Sequence, residues 1–200
     1  MVSVASAKSQ LESSQESDNY LIGMCLKGHT HIFGQLYQRH QQKVRSTLFQ
    51  LCGSDGLDDL VQEVFIRAWK GLPKFKQTAQ FSTWIYRITW NVACDRRRAY
   101  AKGRSRHIEV EDLTQVLDSN LSSLDKGSEL NKIHYRDLVQ RGLVTLSLDH
   151  RTVLVMHDLE ELSQKEIAEV MDIPIGTVKS RLFHARSSLR KYLESQRVEI

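Results

Sequence analysis

The sequence predicts an all-α chain of two small helical domains joined by a flexible acidic linker, the second domain ending in two short helices around a tight turn. Three observations carry this. Apolar residues recur at helical spacing almost throughout, and strand-like alternation is scarce. The two prolines, Pro73 and Pro174, fall between patterned stretches, where a missing backbone donor ends a helix rather than breaking one. Over residues 103–129 the periodicity fails while Ser, Asp and Glu accumulate.

The elements follow in order. Residues 1–17 read as a disordered Ser/Gln-rich tail, without the charged-then-apolar order of a secretory signal. Ser17 or Asp18 caps a short helix expected to bury Leu21, Ile22, Cys25 and Leu26. A longer helix carries Phe33, Leu36, Tyr37, Val44, Leu48 and Leu51 and stops at Gly53. A third starts near Leu57 and turns Leu60, Val61, Val64, Phe65, Ala68 and Trp69 inward, with Gly71 and Pro73 at its end. After the loop "LPKFKQTAQ", a fourth begins near Ser82 with Trp84, Ile85, Ile88 and Val92 inward, closing a first domain over 18–102.

The second domain spans 130–194, with 195–200 as a tail. Leu138, Leu143 and Leu146 lead into a helix holding Val153, Leu154 and Leu159. Ser163 and Glu166 have capping-box spacing and fix the next helix start, with Ile167, Ala168 and Met171 inward. The chain breaks at "DIPIG", where Pro174 lacks a donor and Gly176 relaxes the backbone, and the last helix starts near Thr177.

The charge is segregated. Residues 86–106 hold seven Lys or Arg against one acid, 107–129 six acids against one lysine, and 176–197 six basic residues against Glu194. Two basic blocks around an acidic one suit a polyanionic partner. The cysteines, Cys25, Cys52 and Cys94, lack CxxC spacing and sit in apolar patterns, as small buried side chains in a reducing cytoplasm do. No apolar run approaches the roughly 18 residues of a membrane span. Cys94 beside Asp95 has no histidine partner and no glycine-rich phosphate loop occurs, so no catalytic residue, cofactor or metal is expected. Cys25, His29 and His31 form only a weak C-x3-H-x-H pattern.

Two short helices around a tight turn, the second polar and basic outside, is the helix-turn-helix design. The N-terminal end of the second helix would enter a major groove, so Thr177, Lys179, Ser180 and Arg181 are placed to meet bases and phosphates, with His184 one turn further. The plainer reading is a solvated amphipathic face. In the first domain, Asp59, Gln62, Glu63 and Arg67 make a mixed polar helix face suited to a protein partner. The loop of Lys74, Phe75 and Lys76 and an outward Trp90 lie near Arg96, Arg97 and Arg98, an aromatic surface beside positive charge of the kind unstacked bases require. Phe81 and Trp84 are assigned to the core. A stand-alone helix-turn-helix regulator would use 130–194 but leave the Gln62/Glu63 face and the Phe75 loop idle.

The stretches "DDLVQEVFIRAW", "FSTWIYRITWNVACDRRR" and "LSQKEIAEVMDIPIGTVKSRLFHARSSLRKYL", in that order, resemble a bacterial RNA polymerase sigma factor of the sigma-70 family, extracytoplasmic-function (ECF) group. The resemblance implies a cytoplasmic, non-catalytic initiation factor that binds core RNA polymerase and promoter DNA. It implies that Asp59, Gln62, Glu63 and Arg67 dock on the clamp helices of the largest subunit, and that the polymerase flap is a further contact. Lys74, Phe75, Lys76, Gln80 and Asn91 would capture a flipped base of the minus-ten element, with Arg96, Arg97 and Arg98 on its backbone. Lys179, Ser180, Phe183 and His184 would read the minus-thirty-five element, with Arg181 and Arg186 on phosphates. The acidic linker would thread the polymerase channel, and an anti-sigma factor is a further implied partner. Lys179 and His184 stand where relatives often carry arginine, and Trp90 where a small or aliphatic residue is usual, so the promoter sequence is not transferable.

Overall fold

The computed structural model describes residues 18–76, 79–104 and 128–196, all helix and connecting turns with no strand among the described residues. The expected N-terminal tail, most of the acidic linker and the last four residues lie outside them. The elements are α1 (18–26), α2 (Phe33–Cys52), α3 (Leu57–Gly71), α4 (Phe81–Arg104), α5 (Ser128–Thr145), α6 (Leu148–Leu154), α7 (Gln164–Met171) and α8 (Ile175–Ser195). No helix among the described residues is long and apolar enough to cross a membrane.

Helices α1 to α4 close around Ile22, Leu36, Val44, Leu48, Val64, Leu72 and Ile85. Asp18 does not serve as a free cap; its carboxylate meets Arg39 and, at 2.8 Å, His40 Nε2, so a buried polar cluster ties α1 to α2. Leu26, expected inside, is exposed because α1 ends there and the chain turns through Gly28. Trp69 also departs from the expected core: it is 39% exposed and packs edge-on against Phe33, ring centres 5.0 Å apart. Gly53, at φ 80°, stops α2 where the sequence placed the stop.

Helices α5 to α8 form the second unit. Helix α5 crosses α8 at Gly142, where an added Cβ would stand 2.5 Å from Leu189 Cδ1 and 2.9 Å from Tyr192 Cδ1. After α6 the chain makes a π-helical turn, Val155–Leu159, closed by Glu160 N–H donating to the Val155 carbonyl at 3.0 Å. The wider turn shifts the helical register, which leaves Leu159 exposed rather than inward. The Ser163/Glu166 capping box forms as its spacing predicts. At the turn before α8 the left-handed residue is Asp172 (φ 56°). Pro174 caps α8, and Gly176 lies within its first turn, without positive φ; the helix therefore starts at Ile175, ahead of the expected Thr177.

The two units pack against each other. Tyr86 and Trp90 of α4 join a core of Val153, Met156, Ile167, Val178 and Leu182, while Leu51 and Ala93 join one of Leu143, Leu146 and Ala185. Trp90 thus lies under the second unit rather than outward. The half-buried Arg151 donates to the Leu51 carbonyl (2.8 Å) and the Val144 carbonyl (2.7 Å), satisfying the C-terminal ends of α2 and α5 together. Glu160, at the end of the π turn, accepts from Tyr86 Oη at 2.6 Å and Thr47 Oγ1 at 3.0 Å. Burial, then the hydrogen bond to Glu160, pushes the Tyr86 phenol well above its ordinary pKa.

Candidate functional site

Helix α8 buries Val178, Leu182 and Ala185 and turns Lys179, Ser180, Phe183 and His184 outward. Its inner face is fixed by α7, whose Ile167, Ala168 and Met171 share the same core. Phe183 is 70% exposed, with the His184 ring edge-on at 5.5 Å and His150 of α6 at 6.3 Å from His184. Thr177 is half-buried, and its carbonyl accepts from Ser180 Oγ. An exposed aromatic and imidazole surface on a rigid helix end is chemically fit for base edges and thymine methyls.

The arginines of α8 are already engaged. Arg181 pairs with Asp149 at 2.9 Å, its side chain only 25% exposed. Arg186 Nε donates to Asp158 Oδ2 at 3.1 Å, and His157 Nδ1 lies 2.8 Å from the same carboxylate. Burial alone would raise the Asp158 pKa, but hydrogen bonds from Arg186 and His157 outweigh it and hold the carboxyl below its usual value. Both arginines therefore anchor α8 to α6 and the π turn.

In the first unit the sequence-predicted face divides in two. Glu63, Arg67 and Asp95 form an ion-pair chain, Arg67 donating to Glu63 at 2.7 Å and to Asp95 at 2.7 Å, and Arg98 joins Asp95 at 3.1 Å. Hydrogen bonds to Asp95 and then Glu63 raise the Arg67 pKa. This chain ties α3 to α4. Asp59 and Gln62 are exposed, and Gln62 lies instead on an apolar groove lined by Phe33, Tyr37, Phe65, Ile66 and Trp69. Ile66 and Trp69 went unassigned as site residues in the sequence; their i, i+3 spacing on α3 was the available signal.

Lys74, Lys76 and Gln80 are exposed, but Phe75 is buried, stacked at 4.8 Å on Trp84 and 6.0 Å from Phe81. Asn91 is exposed and lies on the Trp84 side of α4, two turns or about 10.5 Å further along. Arg96 is turned toward Asp55 and lies over the Tyr100 ring at 4.7 Å, whereas Arg97 and Arg98 are exposed. No group of three or more His, Cys, Asp or Glu able to hold a metal occurs among the described residues.

Two family signatures fall on these two units. Residues 36–103 match sigma-70 region 2, and residues 136–189 match sigma-70 region 4. The chain is 33% identical over 187 residues to the ECF RNA polymerase sigma-E factor of Escherichia coli K12, covering 88% of this chain and 94% of that protein. The chain belongs to the ECF sigma factors. The sigma-E factor of Haemophilus influenzae is 30% identical over 192 residues, 91% of this chain and 98% of that one. The helical arrangement is also that of solved structures. One is a sigma factor RpoE in complex with the anti-sigma factor NepR from Bartonella quintana (TM-score 0.64, 22% identity, 81% of this chain and 96% of that one). Another is CnrH in complex with the cytosolic domain of CnrY (TM-score 0.65, 24% identity, 89% and 97%). As an ECF sigma factor the chain has its role in transcription initiation.

Proposed function

We propose that this ECF sigma factor binds core RNA polymerase through α3 and directs promoter-specific initiation by reading the minus-thirty-five duplex with α8 and capturing the opened minus-ten strand beside α4. The observation that carries the reading is the exposed Lys179, Ser180, Phe183 and His184 surface on the fixed end of a helix-turn-helix, on the same chain as the exposed Ile66/Trp69 groove. DNA binding alone would not require that groove. Thr177, Lys179, Ser180, Phe183 and His184 are the duplex-reading set, and Arg181 and Arg186 act mainly by holding them in place. At the minus-ten element, Lys74, Lys76, Gln80, Asn91, Arg97 and Arg98 supply the exposed contacts, while Phe75 and Arg96 shape the loop and the end of α4 from within.

Asp59 and Gln62, with Ile66 and Trp69, meet the polymerase clamp helices, and Glu63 and Arg67 brace that face. An anti-sigma factor is a further expected partner, as in the solved complex of RpoE with NepR. Run-off transcription with purified core polymerase, followed by sequencing of the starts, tests the reading. Defined start sites in the presence of the chain support it. DNA binding without polymerase association would favour a stand-alone regulator.

A further inference from the structure

We propose that His150 is a further promoter-contacting residue, which donates to a backbone phosphate of the strand whose base edge His184 reads. The inference rests on the duplex-reading role of α8 given above.

The two imidazoles come from different helices. His184 lies on the outer face of α8 with the Phe183 ring edge-on at 5.5 Å, and His150 of α6 stands on from it at 6.3 Å. Phe183 and His184 are exposed and His150 is half-buried. The three rings make one strip that crosses from α8 onto α6. Neighbouring contacts hold His150 in that strip. Its backbone N–H donates to Ser147 Oγ at 3.4 Å, the cap that starts α6. Asp149, one residue earlier, holds Arg181 of α8 at 2.9 Å and so pins the helix crossing about one turn before His184. Arg151, one residue later, is turned onto the Leu51 and Val144 carbonyls.

Chemistry and groove width give the two rings different targets. A neutral imidazole has one N–H donor, where a guanidinium has five. His184 therefore serves one acceptor on a base edge. On the α6 side of α8 the other donors are Arg181, already taken by Asp149, and His150. A strand advances about 3.4 Å per nucleotide, so rings 6.3 Å apart address neighbouring groups rather than one base. The major groove is about 12 Å wide and a helix with its side chains about 10–12 Å across, so α8 fills it alone. Helix α6 is left at the rim, where the phosphates are. The carboxylate beside His150 does not oppose this, because Arg181 balances Asp149.

The test uses the full chain. A randomised duplex library selects the preferred sequence of wild type, and each phosphate of that duplex is then replaced in turn by an uncharged methylphosphonate. Affinities and thermal melts are measured for wild type, His150→Ala, His150→Leu, His150→Gln and His184→Ala. His150→Leu fills the site without a donor, so it replaces His150→Ala in the comparison if the smaller side chain lowers the melt. Loss of a hydrogen bond to a charged group should weaken binding about tenfold on every sequence, with base preference unchanged. His150→Gln keeps an N–H donor and should recover most of that loss, whereas His184→Ala should flatten the preference at one position. One methylphosphonate should weaken wild type about tenfold and leave the donorless His150 variants nearly unaffected, a coupling that a purely structural role does not produce. Equal methylphosphonate losses in wild type and these variants at every position overturn the contact. A base preference changed by them as by His184→Ala overturns the assignment to the backbone. A wild-type chain that selects no sequence overturns the reading of α8 and this inference with it, whereas selection without coupling overturns this inference alone.

Discussion

The Arg181 guanidinium meets the Asp149 carboxylate 2.9 Å away, so a residue of the exposed helix face is held by α6 from below. A charge neutralised within the protein releases few counterions from DNA, because the slope of affinity against salt counts the net charges brought to phosphates. Lys179 is exposed on the same helix. The two side chains therefore differ in role although both are basic and two residues apart.

Binding of the full chain to a minus-thirty-five duplex across a salt series checks this. Lys179→Ala should reduce the slope of log affinity against log salt by about one unit. Arg181→Ala should leave it nearly unchanged. Asp149→Asn should steepen it, since it frees the guanidinium. An Arg181→Ala slope that falls as far as that of Lys179→Ala would return Arg181 to the phosphates.

Gly142 gives a stability prediction. An added Cβ would stand 2.5 Å from Leu189 Cδ1 and 2.9 Å from Tyr192 Cδ1. Overpacking of this kind costs about 1–3 kcal/mol, offset in part by the roughly 0.5–1 kcal/mol that alanine gains over glycine within a helix. Gly142→Ala should lower the denaturant midpoint, and Leu189→Ala in the same chain should restore part of the loss. Two losses that simply add would mean that no clash exists.

Much of the fold was legible because local signals coincided with packing. Gly53 ends α2, the Ser163/Glu166 box starts α7, and Pro174 separates α7 from α8, each through backbone chemistry readable one residue at a time. What escaped depends on contacts far along the chain. Trp90 reads as outward when α4 is considered alone and is covered only because α6, α7 and α8 return to it. The π turn at Val155–Leu159 carries no proline or glycine to announce it, so Leu159 was assigned inward. The polar face of α3 was found, but not that Glu63 and Arg67 would be taken by Asp95, 28 residues beyond Arg67. An ion pair between helices has no period in the sequence.

Phe75 is the case in which burial revises a binding role. Its ring is stacked on Trp84 and packed near Phe81, so little of it faces solvent. Phe75→Ala should cost about 3–5 kcal/mol of stability through the cavity it leaves, and Phe75→Leu markedly less. If Phe75 shapes the loop from within, single-strand minus-ten binding by Phe75→Leu should stay within a fewfold of wild type. A direct stacking partner would instead lose about 1–3 kcal/mol of binding in Phe75→Leu while stability held.

The apolar groove yields the last prediction. Ile66 is 45% and Trp69 39% exposed, and with Phe33, Tyr37, Phe65 and Gln62 they make a concave apolar surface. Leaving such side chains in water forgoes burial energy that a helical partner would recover at about 25 cal/mol per Å². Aromatic anchors of this kind commonly dominate an interface. Ile66→Ala and Trp69→Ala should therefore each weaken core-polymerase binding at least tenfold, with smaller effects on stability for Ile66, whose side chain is nearly half in solvent already. Glu63→Gln should behave differently. It removes one partner of an ion pair whose side chains are 38% and 43% exposed, so it should shift stability by less than about 1 kcal/mol and reduce core affinity only modestly. Titration of labelled chain with core polymerase, beside thermal melts of each variant, separates the two. Equal losses of affinity from Glu63→Gln and Ile66→Ala would place the contact on the polar edge of α3, whereas a loss confined to Ile66 and Trp69 places it in the groove.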